Sequence, residues 1–88
     1  MIGEQTNDAE AVALRALGWT LSDDARAARL LALTGLTAET LRVSVGERAT
    51  LAAALRFLEG HEPDLLACAD ALGVAPPLLI EARRELER

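Results

Sequence analysis

Glycine and proline cut this chain into pieces too short to stand alone. Gly18, Gly35, Gly46, Gly60 and Gly73, with Pro63, Pro76 and Pro77, recur through runs dominated by Ala, Leu, Glu and Arg. Those four residue types are strong helix formers. Strand formers are scarce: four Val, two Ile, one Trp and one Phe. An isolated helix shorter than ~12–15 residues is marginal in water. The pieces must therefore bury one another's apolar faces. With 88 residues there is room for one domain, spanning 1–88. The sequence predicts an all-α, orthogonally packed bundle of five or six short helices.

The boundaries follow from local chemistry. Residues 1–6 are polar and acidic enough to predict a disordered N-terminus, with the first helix opening at Asn7 and Glu10 completing a capping box. Ala13, Leu14, Leu17 and Leu21 recur at helical spacing. Gly18 inside that helix costs ~1 kcal/mol against Ala, which predicts a bend or a close approach. A second helix starts at Ser22 or Asp23 and ends at Gly35, with Ala27, Leu30, Leu31 and Thr34 as its stripe. Thr37 caps a short third helix through Leu41. A fourth runs from Glu47 to Glu59. Pro63 opens a fifth, Asp64–Leu72, apolar nearly all round and so predicted to be the most buried. A sixth starts at Ala75-Pro76-Pro77 and reaches about Glu87, where the like-charged pairs Glu81–Glu85 and Arg84–Arg88 predict fraying.

The chain also resembles itself at an interval of 38 residues. Gly35 matches Gly73, Trp19 matches Phe57, Leu17 matches Leu55 and Leu41 matches Leu79. Two readings stand. Residues 7–44 and 45–82 form two three-helix halves about a pseudo-twofold, or Ala and Leu are so abundant that matches arise by chance.

Composition then narrows function. The hydrophobic fraction is 51%, too high for a disordered chain. No run approaches the ~18 apolar residues of a membrane span. One Cys excludes an internal disulfide, and one His with one Cys excludes an ordinary zinc site. A lone thiol and the lack of a signal peptide imply the cytoplasm. The net charge is −5 and all nine bases are Arg. Such a chain repels nucleic acid and anionic membrane unless its bases cluster. They cluster once, at Arg83, Arg84 and Arg88, interleaved with Glu81, Glu85 and Glu87.

No residue pattern names a reaction. Ser22 and Ser44 lack a neighbouring His, and Tyr is absent. His61 falls in a Gly-His-Glu-Pro loop, where a solvated His is the simplest reading. Cys68 sits on the apolar fifth helix and reads as a small core residue. An enzyme would need a pocket joining the two. The segment 65–88 has the outline of a helix-turn-helix, with Ala69 four residues before Gly73. Base-reading positions there hold Ala75, Pro76, Pro77, Ile80 and Glu81, which offer the major groove little. An ordinary helical corner explains the spacing better, leaving Arg83, Arg84 and Arg88 as the contacts of any nucleic-acid reading.

Four blocks carry a resemblance. They are Ala16-Leu17-Gly18-Trp19, Arg29 through Leu36, Leu55-Arg56-Phe57-Leu58, and Gly73-Val74-Ala75-Pro76 followed by Ala82-Arg83. Over Glu10–Glu85 the chain resembles a group of short bacterial proteins, domain-of-unknown-function family 3572. The resemblance implies a stand-alone, cytoplasmic, all-helical protein without an assigned activity, and it brings no site residues with it. Gly18 departs from the helix former expected there. The expected role is a non-enzymatic protein–protein interaction module or a homodimer, without metal or cofactor. A small chain this apolar leaves apolar surface exposed. Leu78 and Ile80 are expected contacts, since one helix face cannot hold Leu78, Leu79 and Ile80 together; Trp19 and Phe57 are candidate contacts too, although the match between them favours the core for Trp19.

Overall fold

The computed structural model describes the backbone of residues 2–88 and the side chains of residues 9–88. It contains α1 (Ile2–Leu21), α2 (Asp24–Thr34), α3 (Ala38–Ser44), α4 (Arg48–Glu59), α5 (Glu62–Leu72) and α6 (Pro76–Leu86), and the described residues include no strand. The radius of gyration is 12.1 Å, against about 12 Å expected for a compact domain of this length.

The caps explain most boundaries. Asp23 accepts from the Arg26 N–H at the start of α2. Thr37 and Thr40 exchange reciprocal side-chain-to-backbone bonds at the start of α3, a capping box. Gly35 and Gly73 end α2 and α5 with φ of 75° and 74°, the left-handed region that favours glycine.

Several boundaries and burials differ from expectation. α1 runs back to Ile2, so the helix begins ahead of Asn7. No proline stands ahead of Asn7, and each residue added to a helix gains a backbone bond. The expected cap at Asn7 and the placement of Met1 lie outside the described residues. Gly18 is exposed, and a Cβ there would meet nothing within 4 Å, so close packing does not explain it. α3 continues past Leu41 to Ser44.

The most buried helix is α4, not α5. α4 buries Leu51, Ala52, Ala54, Leu55, Phe57 and Leu58, whereas α5 buries only Leu65, Cys68 and Ala69. The cause is position. α1, α4 and α6 pack mutually, and α2 and α5 each touch both α1 and α4. α4 is thus covered from several sides, while α5 turns Leu66 to solvent at 48% exposure.

Helix limits recur at the same interval as the residue matches. α1 ends at Leu21 and α4 at Glu59; α2 spans 24–34 and α5 spans 62–72; α3 begins at 38 and α6 at 76. Burial recurs too, in the pairs Ala13/Leu51, Leu17/Leu55, Leu30/Cys68 and Leu41/Leu79. Packing does not. α6 lies against α1 and α4, but α3 has no comparable contact with either. α6 buries Leu79, Ala82 and Leu86 in succession. At the corresponding places the first half has Leu41, Ser44 and Arg48, and α3 ends before the third. One apolar anchor cannot seat a helix as three do.

Candidate interaction surface

The residues expected to meet a partner do not share one face. Trp19 is half-buried and packs against the core. The Arg26 guanidinium lies 3.7 Å from its ring centroid, and Arg26 Nη2 donates to the Trp19 carbonyl at 2.7 Å. Trp19 therefore anchors the α1–α2 turn, with a cation–π contact and a charge-assisted bond. Phe57 is buried at 7% exposure, so it meets solvent only at the floor of a groove. Leu79 is fully buried, which turns Leu78 outward at 43% and leaves Ile80 half-buried.

The groove above Phe57 runs between α2 and α4. Leu33, Leu36, Ala49, Ala53 and Arg56 line its sides. Leu33 stands on its wall at 75% exposure, and Val43 on α3 is 80% exposed. Neither residue was among the expected contacts. Leu33 sits in an apolar run, Leu30 through Leu33, of which a single helix face buries only part. That run was the available signal. The Arg56 guanidinium is turned away to Glu87, donating from Nη2 at 2.9 Å.

The C-terminal arginines are engaged. Arg83 forks onto Glu59 at 2.7 and 3.1 Å and donates to Glu87 at 2.9 Å. Arg84 pairs with Glu81 at 3.1 Å, and Arg88 with Glu85 at 3.3 Å. Arg48 donates to the Glu85 carbonyl at 2.7 Å and to that of Leu86 at 3.3 Å. The end of α6 is tied to α4 rather than frayed: Arg83 and Glu87 reach Glu59 and Arg56, while Glu81 with Arg84 and Glu85 with Arg88 pair three residues apart in place of the like-charged contacts four apart. α5 and α6 meet at 99°, the angle of a helix-turn-helix. The three arginines that would face phosphate there already face carboxylates.

His61 is exposed, whereas Cys68 lies in the core. Cys68 is fully buried, and burial pushes its thiol up, away from the reactive thiolate. His61 Nδ1 lies 3.0 Å from Asp64 Oδ2, and Arg29 Nη1 lies 2.9 Å from the same oxygen. These are ion-pair approaches without the alignment of straight hydrogen bonds. They tie α2 to the start of α5. Burial pushes the Asp64 carboxyl up, but Arg29 and His61 outweigh it and hold the group below the usual carboxylate range. A lowered folded pKa adds stability that is complete above the unfolded value and is lost as pH falls through the folded one. Melting temperature should therefore drop below about pH 4, where carboxylates protonate. Asp64→Asn should shrink that acid limb while lowering the melting temperature at pH 7. An acid limb unchanged by the substitution would remove Asp64 from the account.

Among the described residues, no group of three or more His, Cys, Asp and Glu could hold a metal ion. Among them too, no single helix is long and apolar enough to cross a membrane. A family model described as a protein of unknown function, DUF3572, matches residues 6–88, and the chain belongs to that family. No curated protein and no solved structure matches it.

Proposed function

We propose that this member of the DUF3572 family is a non-enzymatic, cytoplasmic protein–protein interaction module whose α2–α4 groove receives a second copy of the same chain. The exposure of Leu33 on the wall of an apolar groove carries the reading. A leucine side chain gains roughly 1.5–3 kcal/mol when removed from water. A twofold dimer places the same patch on both subunits, so each must present both knob and hole. Here the knob, Leu33, and the hole, floored by Phe57, lie on one face. Charge also permits it. The chain is acidic overall, yet the one ionic residue of the groove lining, Arg56, is already paired with Glu87. A copy meeting this face encounters no field of like charge.

The test is light scattering over a concentration series, wild type against Leu33→Glu. Wild type should shift from monomer to dimer mass as concentration rises. Leu33→Glu should weaken dimerisation by about tenfold or more, since truncating a central anchor costs ~2 kcal/mol and a carboxylate adds desolvation. Circular dichroism should match between the two, because Leu33 is outside the core. A wild-type monomer at every concentration would refute self-association.

A further inference from the structure

A second cavity lies on the α1–α2–α3 corner, away from the α2–α4 groove. It measures about 380 Å³ and is lined by Leu17, Leu21, Ala27, Leu41, Arg42 and Val45, among others. That is within the ~300–1,000 Å³ of small-molecule sites. Apart from Arg42 its lining carries no charged side chain.

The second half shows what the first half lacks. Thirty-eight residues on, Leu65 stands for Ala27, Glu59 for Leu21, Arg83 for Val45 and Ile80 for Arg42. Leu65 is buried there, filling volume that Ala27 leaves open. Glu59 and Arg83 close that corner as an ion pair at 2.7 Å, with side chains only 23% and 16% exposed. The first half has Arg42 at its corner, and among the described residues no carboxylate pairs with it.

Arg42 is singular in a second way. Eight of the nine arginines make a hydrogen bond, an ion pair or both: Arg15 to the Leu72 carbonyl, Arg26 to Trp19, Arg29 to Asp64, and the remaining five to partners on α1, α4 and α6. Among the described residues Arg42 alone makes neither. An arginine in the lining of an apolar cavity, with no partner among the described residues, suits a carboxylate attached to hydrocarbon.

We propose that this cavity binds an aliphatic monocarboxylate, its chain against Leu17, Leu41 and Val45 and its carboxylate on Arg42. The ligand supplies at this corner the acid and the volume that Glu59 and Leu65 supply at the other. This site is independent of the dimer groove, so either reading survives the failure of the other.

The test is calorimetric titration of the full chain with octanoate and decanoate below their micellar concentrations and with decanol below its solubility limit. Decanoate should bind once per chain, tighter than octanoate by about fourfold per added methylene. Arg42→Gln should weaken decanoate about tenfold and leave decanol unchanged. Ala27→Leu, which copies the residue of the second half, should weaken both. Because Arg42 is exposed and outside the core, its variant tests the site even if Ala27→Leu perturbs packing. Absent saturable decanoate binding, or an undiminished affinity in Arg42→Gln, would overturn the proposal.

Discussion

Leu79→Ala should remove about 3–5 kcal/mol of stability, while Leu41→Ala, at the matching place 38 residues earlier, should remove about 2. Both residues are the first apolar anchor of their helix, and both are buried, at 0% and 5% exposure. Their surroundings differ. α6, which carries Leu79, packs on α1 and α4, so truncation leaves an enclosed void. Leu41 already borders the α1–α2–α3 cavity, so truncation enlarges an existing space. The cost of a cavity follows how much empty volume remains and how far the site can relax. A domain of this size has roughly 4–13 kcal/mol in total. Leu79→Ala should therefore remove about a quarter or more of that stability. Urea denaturation followed by circular dichroism measures both losses. Equal losses would show that α3 is as firmly seated as α6.

Gly73→Ala should cost about 1–2 kcal/mol, through the backbone alone. With φ at 74°, Gly73 lets its own N–H donate to the Asp70 carbonyl at 3.1 Å and the Val74 N–H to that of Ala69 at 3.0 Å. That arrangement closes α5 and sets up the turn into α6. A Cβ at Gly73 would meet nothing within 4 Å, so crowding contributes nothing to the loss. Gly60 supplies the contrast. It also ends a helix, but with φ at −75°, where alanine is at ease, and a Cβ would stand an ordinary 3.6 Å from the Arg56 and Phe57 carbonyls. Gly60→Ala should stabilise by about 0.4–1 kcal/mol by narrowing the unfolded ensemble. Thermal melts of the two variants separate the cases. A neutral Gly73→Ala would mean that the turn relaxes out of the left-handed region.

Local signals in the chain were legible wherever the physics is local. Asp23 and Thr37 cap helices because a short oxygen-bearing side chain reaches an N–H a few residues on, whatever else the chain does. Gly35 and Gly73 mark left-handed residues for the same reason. The 38-residue match was visible as residue identities, and the helix limits follow it. Misjudgements came where a property is shared between distant parts. α5 has the most apolar composition, yet its place at the edge leaves it less buried than α4. The like-charged pairs at the end of α6 predict fraying, yet Glu59 and Arg56 on α4 hold their neighbours Arg83 and Glu87. Phe57, a candidate contact by sequence, lies beneath the surface, while Leu33 stands above it in the open.

By itself the sequence determined that this chain is helical, where most of its helices begin and end, and that its stripes are wide enough to bury. Those properties depend on neighbours a few residues away, and the spacing of side chains along a helix sets them. Only the tertiary structure decided which apolar residues stay outside, which arginine finds no partner among the described residues, and which half closes its corner. Each of those is a competition for one place among residues far apart in the chain. α6 won the groove between α1 and α4 because it has three anchors in line, and α3, with one, was left at the rim beside an open cavity.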